Sequence, residues 1–243
     1  MIHIIVSKTG SKFTDSHVNL LKNSIHEHYK KPFTFHTVEK EEFLYAFNKA
    51  QAFQDNFLNI KKGERVIVMD LDIHVVSDPS PVFDAELGSN TIGMFHKWWQ
   101  YPYNSCFIWG GIYVFTSGYT QKIYDRLKFN PEYYYSRYSK LYDYKFRKDI
   151  DLPIRGEQDF VLESASIYNY NINLFPSFYA ETIQPEVEEG RIDLQEALEN
   201  PDNLPKDRLR KHFGIKSLNP DRVDLIFNHY SGYVDKYIEK YGI

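Results

Sequence analysis

Residues 66–73 form the stretch Val66-Ile67-Val68-Met69-Asp70-Leu71-Asp72-Ile73, in which four apolar residues lead directly into two acids. A continuous apolar run of this length is typical of a central strand that is covered on both faces. Asp70 and Asp72 then stand at the carboxyl end of that strand, where open α/β sheets usually bind ligands, and Leu71 points to the opposite side. The stretch predicts a buried strand that delivers two carboxylates to one site.

Strands and helices alternate on both sides of this stretch. Further apolar runs of strand length predict strands at residues 4–6, 91–95, 111–116 and 172–175. Helical spacing of apolar residues predicts helices containing Val18, Leu21, Ile25 and Tyr29, then Phe43, Phe47 and Ala50 behind the acidic turn Glu39, Glu41 and Glu42, then residues 119–127, and one after Glu157. We expect an α/β fold with a mixed, mainly parallel sheet flanked by helices.

The chain of 243 residues shows no internal repeat and no linker rich in Gly and Ser, so we predict one domain over residues 1–243. Two segments depart from the alternation and are predicted to be excursions from the sheet: the tyrosine-rich residues 131–149 and the charged residues 185–212. Tyr134 and Tyr138 in the first segment are candidate ligand contacts, because a tyrosine offers a ring-shaped ligand such as a sugar a flat apolar face and a hydroxyl. The alternative is that these rings pack inward.

Composition excludes several classes of protein. The chain has 29 Lys and Arg against 33 Asp and Glu, with no long basic run, which argues against a dedicated nucleic-acid binder. The single cysteine, Cys106, excludes an internal disulfide and a zinc site built on cysteines, and it fits a reducing compartment. No apolar run approaches the roughly 20 residues that span a bilayer. We therefore expect a cytoplasmic protein without a transmembrane segment.

The carboxylate pair predicts a metal site. Hard oxygen ligands suit Mg²⁺ or Mn²⁺, which can bridge to phosphate oxygens and neutralise a leaving diphosphate. The alternative is that Asp70 and Asp72 cap a neighbouring helix or pair with Arg65.

With these motifs in place, the sequence resembles the nucleotide-sugar glycosyltransferases of the GT-A fold, a Rossmann-like architecture, and in particular the glycogenin-like and galactosyltransferase-like group called family 8. The resemblance spans residues 1 to about 236 and depends on motifs that occur in the same order. They are the acidic stretch at 66–73 with Pro79, Val82 and Phe83 after it, Trp109-Gly110-Gly111-Ile112-Tyr113-Val114-Phe115, Gly156-Glu157-Gln158-Asp159-Phe160, and His229-Tyr230-Ser231-Gly232.

The resemblance implies a metal-dependent transferase that moves a hexose, glucose or galactose, from a UDP-sugar to an acceptor that the sequence does not identify. Tyr134 and Tyr138 are candidates for the acceptor cleft of such an enzyme. It implies Asp70 and Asp72 as metal ligands and His229 as the third. An imidazole among oxygen ligands favours Mn²⁺ over Mg²⁺. The alternative for His229 is a structural histidine at a strand end, and His74 is the next candidate ligand.

The resemblance also implies contacts to the donor. The residues that it places near the donor sugar are Gln158, Asp159, Gly110, Gly111 and Lys49. Those that it places near the nucleotide and its diphosphate are Val6, Ser7, Lys8, Lys12, Leu71, Ser231, Gly232 and Lys236. Simpler explanations stay open for two of these groups. Residues 7–12 can be a solvated turn, and Asp159 can be an acid that favours a helix N-terminus.

Two other functions are open at this point. A phosphatase similar to the haloacid dehalogenases would use Asp70 as its nucleophile, but that class carries its acidic motif early in the chain. A non-catalytic carbohydrate-binding protein would use the tyrosines, but such modules are commonly all-β, which the helical periodicity opposes.

Overall fold

The computed structural model describes residues 1–96, 108–139, 156–176, 179–182 and 227–229, and for residues 96, 139, 181, 182 and 227–229 it describes the backbone alone. The strands in this part of the chain are β1 (Ile2–Ser7), β2 (Phe33–Val38), β3 (Arg65–Met69), β4 (Ile73–Val75), β5 (Thr91–His96), β6 (Ile108–Thr116), β7 (Asn171–Phe175), β8 (Ala180–Thr182) and β9 (Phe227–His229). The α-helices are α1 (Asp15–His28), α2 (Ser80–Phe83), α3 (Gln121–Phe129), α4 (Pro131–Ser139) and α5 (Gly156–Ile167), and two 3₁₀ helices, η1 (Tyr45–Phe53) and η2 (Phe57–Asn59), lie between β2 and β3.

Six strands form one sheet in the order β2-β1-β3-β6-β5-β7. β1 runs parallel to β2 and to β3, and β5 runs parallel to β7, whereas β6 is antiparallel to both of its neighbours. The predicted fold class, a mixed and mainly parallel sheet flanked by helices, is confirmed. A second sheet has the order β4-β9-β8.

The strand β3 is buried on both faces, as its apolar sequence predicts. Val66 and Val68 belong to an apolar cluster shared with η1, α3 and α5. Ile67 and Met69 belong to a second cluster, on the other face, which is shared with α1. This double coverage explains why the strand is continuously apolar rather than alternating.

The segment predicted as a helix around Phe43, Phe47 and Ala50 differs from expectation. All three side chains are buried, but the helix is the 3₁₀ helix η1, which begins only at Tyr45. The side-chain oxygen of Asn48 accepts hydrogen bonds from the backbone N–H groups of residues 42 and 43, at 2.9 and 2.8 Å. Residues 42 and 43 therefore bond to a side chain instead of continuing a helix.

The strand β2 was not predicted, although its sequence Phe-Thr-Phe-His-Thr-Val has the β-branched and aromatic residues typical of strands. Among the residues that the structure describes, no helix is both long and apolar enough to cross a bilayer.

Candidate active site

The site lies where the chain changes direction across the sheet. From β1 the chain passes through α1 to β2 on one side, and it then returns through η1 to β3 on the other side of β1. The carboxyl ends of β1 and β3 therefore border a crevice of the kind in which open α/β sheets bind ligands.

The two acids follow β3 at this crevice. The backbone N–H of Asp70 donates to the carbonyl of Gly111 at 2.9 Å, which keeps the start of the turn against β6. The Asp70 side chain is 30% exposed and that of Asp72 is 8% exposed, whereas Leu71 is buried in the core cluster on the α1 side. The two carboxylates thus belong to the site, while the side chain of the predicted nucleotide residue Leu71 belongs to the core.

A buried lysine, Lys49, contacts groups from three different parts of the site. The ammonium nitrogen of Lys49, on η1, lies 2.9 Å from Asp70 Oδ1 and 3.2 Å from Glu157 Oε2, and it donates to the carbonyl of Gly110 at 2.7 Å. Burial opposes the charge on Lys49, but the two carboxylates outweigh it and raise the pKa of the ammonium above its ordinary value. The sequence had offered Arg65 as a partner of the acids, but Arg65 donates to the carbonyl of Ala85 at 2.7 Å.

Glu157 is part of the site and was missed as a candidate. Its side chain is 4% exposed, one oxygen faces Lys49, and the other accepts a hydrogen bond from the Tyr113 hydroxyl at 2.5 Å. Burial raises the pKa of Glu157 to about 7, and the Asp70 charge adds to this, while Lys49 and the Tyr113 hydroxyl oppose it. Glu157 occupies an acidic position of the Gly-Asp-Gln-Asp resemblance, and that signal could have identified it.

The peptide group of Gly110 is held from both sides. Lys49 donates to its carbonyl, and its N–H donates to Gln158 Oε1 at 3.1 Å. A Cβ at this position would lie 2.8 Å from both the Gln158 Cβ and the Tyr113 hydroxyl, so only glycine fits without displacement. The side chain of Gln158 also carries an NH₂ group, a donor that can serve a ligand.

The neighbouring donor-sugar candidates, Gly111 and Asp159, lie beside this group. Gly111 follows Gly110 on β6, and the buried side chain of Asp159 stands in the first turn of α5. The five donor-sugar candidates thus lie in the middle of η1, near the start of β6 and in the first turn of α5, and their contacts with a donor stay predictions.

The turn after β1 supplies a further cation beside the acids. Lys12 is 61% exposed, and its nitrogen lies 3.7 Å from Asp72 Oδ2. Lys8 instead directs its nitrogen to Asp15 at 2.5 Å and to Glu39 at 2.8 Å. Val6 has no exposed surface, and Ser7 ends the strand. Of these four nucleotide candidates, Lys12 has the geometry to meet a phosphate.

The residues fit a divalent cation. Asp70 and Asp72 stand in one turn after β3, and the Asp70 side chain is 30% exposed. Carboxylate oxygens are the hard donors that Mn²⁺ and Mg²⁺ accept. Among side chains that the structure describes, no group of three or more His, Cys, Asp and Glu is placed to hold a metal ion. A third ligand would have to come from elsewhere in the chain.

The backbone brings His229 close to the acids. In the antiparallel pairing of β4 with β9, residue 229 stands opposite Ile73, the residue after Asp72. Its side chain lies outside the described part of the chain, so its role as third ligand stays a prediction. His74 lies on β4, which is separated from β3 by the turn at 70–72, so the strand does not run on from Asp70 through His74.

The tyrosine-rich segment requires a correction. Tyr138 has no exposed surface and packs in the core cluster on the α5 side, with its ring 6.0 Å from that of Phe160, so it cannot stack on an acceptor sugar. Tyr134 is half-buried and its ring lies 5.0 Å from Phe160, and its acceptor role stays a prediction. For Tyr138 the inward-packed alternative is the observed one. Ser231, Gly232, Lys236 and the charged segment 185–212 lie outside the described residues.

No protein-family model and no curated protein sequence matches the chain. Solved structures of three glycosyltransferases are similar to it. GlyE of Streptococcus pneumoniae TIGR4 is 12% identical with a TM-score of 0.49, over 94% of this chain and 54% of that one, so this chain spans about half the length of GlyE. The galactosyltransferase LgtC, solved with donor and acceptor sugar analogs, is 11% identical with a TM-score of 0.49, over 99% and 95% of the two chains.

The third is a glycosyltransferase involved in glycosylation of the major capsid of PBCV-1, which is 12% identical with a TM-score of 0.48, over 100% and 99% of the two chains. All three are glycosyltransferases. At this level of identity and TM-score the likeness carries no weight for the activity, which has to be argued from the site itself.

Proposed function

We propose that this chain is a metal-dependent glycosyltransferase that moves a hexose from a UDP-sugar to an acceptor. The observation that carries the proposal is the chain of contacts that links Asp70 to Lys49, Gly110 and Gln158 from three other elements, with Asp72 in the same turn beside Lys12. Glycosyl transfer from a nucleoside diphosphate needs such a site, because negative charge develops on the departing diphosphate.

Each group has a distinct task in this proposal. Asp70 and Asp72 would hold the divalent cation, which when bound supplies charge neutralisation for the leaving group. Lys12, exposed beside Asp72, is able to reach a phosphate oxygen. Gln158 would donate its NH₂ group to a hydroxyl of the donor sugar, and the clamped Gly110 peptide keeps that amide in a fixed orientation.

Release of UDP from UDP-glucose and UDP-galactose, with and without Mn²⁺, tests the proposal. We expect metal-dependent turnover, at least as slow hydrolysis without acceptor, and a loss of about 100-fold or more in Asp72→Asn, since several kcal/mol of charge stabilisation depend on the cation. Asp125→Asn, which changes an exposed carboxylate on α3, should keep wild-type activity. Full turnover in EDTA, or in Asp72→Asn, would contradict the proposal.

The same protein can be assayed for the two alternatives. A phosphatase that uses Asp70 would hydrolyse p-nitrophenyl phosphate, and a carbohydrate-binding protein would be stabilised against heat by sugars alone. A transferase should instead be stabilised jointly by UDP and Mn²⁺.

A further inference from the structure

Two histidines on neighbouring strands bind each other near the amino end of β1, away from the crevice. The Nδ1 atom of His3, on β1, lies 3.0 Å from the Nε2 atom of His36, on β2. The other ring nitrogen of His3, Nε2, lies 3.2 Å from Oε2 of Glu64, which directly precedes β3. The backbone N–H of Lys61 donates to the same carboxylate oxygen at 2.9 Å. The three side chains therefore connect β1 with the strands on both of its sides.

The proton positions in this cluster follow from the chemistry of its groups. An ionised carboxylate can only accept hydrogen bonds, so the nitrogen of His3 that faces Glu64 is the donor. If His3 is neutral, its Nδ1 accepts the proton of His36 Nε2, and if His3 is charged, its Nδ1 donates to His36 instead. One proton lies between the two rings in either case. When both rings are charged, each facing nitrogen carries a proton, so the hydrogen bond is lost and two positive charges stand side by side.

Burial makes the loss of this hydrogen bond costly. His3 is 8% exposed and His36 is partly buried, so water does not readily replace the missing partner. Burial lowers the pKa of His36, and the charge on His3 lowers it further. The pKa of Glu64 is lowered by the backbone N–H of Lys61 and further by His3, although burial opposes this. Glu64 therefore keeps its charge at about pH 5, where histidine rings take up protons.

The pair lies on the side of the sheet that η1 covers. Ile5 and Val38, which stand two residues along the same strands, pack in the apolar cluster shared with η1, and side chains on one face recur every second residue. The titratable groups that η1 and the turn before β3 add on this side, besides Glu64, are Tyr45, Lys49, Lys61 and Lys62. Lys49 is bound to Asp70 beyond the carboxyl end of β3, and the other three residues are exposed. The amino group of residue 1 acts on Glu64, which is the charged group that faces the pair directly.

We propose that His3 and His36 form an acid-sensitive switch, which holds the outer strand β2 against β1 until both rings are protonated and then loosens it. The inference does not depend on the proposed function. Its effect reaches the crevice, because the carbonyl of Val38, at the end of β2, accepts a hydrogen bond from the backbone N–H of Lys8 at 2.8 Å. Loosening of β2 therefore also loosens the turn that carries Lys12.

Hydrogen exchange at the backbone amides of β2, followed by NMR and corrected for the intrinsic effect of pH, tests the switch. Because the folded protein lowers the pKa of His36, the contribution of this ring to stability is complete above the ordinary histidine pKa of about 6.5 and is lost as the pH falls through the lowered pKa. We expect the protection of β2 amides to fall about tenfold from about pH 7 to about pH 5, as for a buried polar group that loses its partner. Protection in β7, at the other end of the sheet, should change by less than about twofold.

The variant His36→Gln keeps a side-chain N–H that can reach His3 but does not titrate, so its β2 protection should be nearly equal at the two pH values. His28→Gln, which removes a titratable ring of α1 outside the pair, is the control and should decline like wild type. If His36→Gln does not fold, the ring nitrogen signals of the wild-type protein provide the test. We expect His3 to carry a proton on Nε2 at about pH 7 and the two rings to be protonated in separate steps.

Three results would each overturn the inference. They are an equal decline in wild type and His36→Gln, an equal decline in β2 and β7, and two rings that titrate independently of each other.

Discussion

Two charge clusters in this molecule each contain a glutamate that accepts a hydrogen bond from a tyrosine hydroxyl, but they differ in burial, because the Glu157 side chain is 4% exposed and that of Glu163 is 30% exposed. Beside β6, Glu157 accepts from Tyr113 and shares the ammonium of Lys49 with Asp70. Between α4 and α5, Glu163 accepts from Tyr138 and also binds two arginines. The first cluster will be called the Lys49 cluster and the second the Glu163 cluster.

The two clusters differ in the sign of their net charge. The Lys49 cluster has one cation for two carboxylates, and one of those, Asp70, opens to the crevice. The Glu163 cluster has one carboxylate for two guanidinium groups, at 2.5 Å from Arg126 and 2.9 Å from Arg137. A cluster with surplus negative charge at a crevice can take up a cation, whereas one with surplus positive charge that ties helices together stabilises the fold.

The largest expected effect is that of Lys49→Met, which leaves Glu157 buried without its counter-charge. Removing one partner of a buried pair costs about 3–5 kcal/mol, so we expect the free energy of unfolding to fall by about 3 kcal/mol at about pH 8 and by less at about pH 6, where Glu157 takes up a proton. Urea unfolding at both pH values measures this. Lys128→Met, on an exposed lysine, should cost less than about 1 kcal/mol, and an equal loss in the two variants would contradict the comparison.

The two glutamates should also give stability opposite dependences on pH. The pKa of Glu157 is raised to about 7 in the folded protein, so its stabilising contribution is complete below its ordinary pKa of about 4.5 and is lost as the pH rises through about 7. Burial favours the neutral form of Glu163, but the Tyr138 hydroxyl and the two arginines outweigh burial and hold its pKa below 4.5. The contribution of Glu163 is therefore present above about pH 4.5 and is lost as the pH falls through the lowered pKa.

Urea unfolding between about pH 3 and pH 8 tests this contrast in the variants Glu157→Gln and Glu163→Gln. We expect Glu157→Gln to reduce the decline in stability on the alkaline side, by about 2 kcal/mol between pH 5 and pH 8, and Glu163→Gln to reduce the decline on the acid side. Parallel profiles for the two variants would show that their environments do not differ in the way described.

A smaller effect is expected from Gly110→Ala. Its Cβ would lie 2.8 Å from the Gln158 Cβ and from the Tyr113 hydroxyl, so these two side chains, which pack around the Gly110 peptide, have to shift. Overpacking of this kind costs about 1–3 kcal/mol, and we expect about 2 kcal/mol in stability together with slower release of UDP from the donor. Gly88→Ala, where the added Cβ meets Thr91 Oγ1 at 3.3 Å, is the control and should change turnover little. Unaltered turnover in Gly110→Ala would mean that the packing of Gln158 and Tyr113 around Gly110 is not needed for activity.

The smallest effect belongs to Tyr138→Phe, which removes only the hydroxyl that donates to Glu163. We expect a loss of about 1 kcal/mol in stability, typical of one hydrogen bond, with the KM for donor and for acceptor unchanged. Steady-state kinetics and thermal unfolding measure the two quantities. A raised acceptor KM without loss of stability would restore the acceptor role that burial denies to this residue.

The prediction of the fold from sequence succeeded where the signal was local. An apolar run such as Val66–Met69 and helical spacing such as that of Val18, Leu21 and Ile25 are properties of a few neighbouring residues, and they identified β3 and α1. The helix expected around Phe47 was wrong in type, since it is a 3₁₀ helix that begins at Tyr45. The side-chain contact of Asn48 with the backbone N–H groups of residues 42 and 43, just before this helix, is not revealed by apolar spacing either.

For the site, the sequence by itself determined the carboxylate pair. Asp70 and Asp72 follow a strand whose apolar run can be recognised without knowing which strands and helices pack against it. Only the tertiary structure decided what binds Asp70. Lys49 and Gly110 are 61 residues apart, and Tyr113 and Glu157 are 44 apart. Whether such groups meet depends on how η1, β6 and α5 pack. The burial of Tyr138 is also decided by packing. The sequence around it is equally compatible with a ring that stacks on a sugar and with a ring buried in the core, and only the packing of α4 on α5 decides between them. Burial and ion pairing are set by long-range packing, and that is why the sequence identified Asp70 and Lys49 as separate candidates but not the ion pair between them.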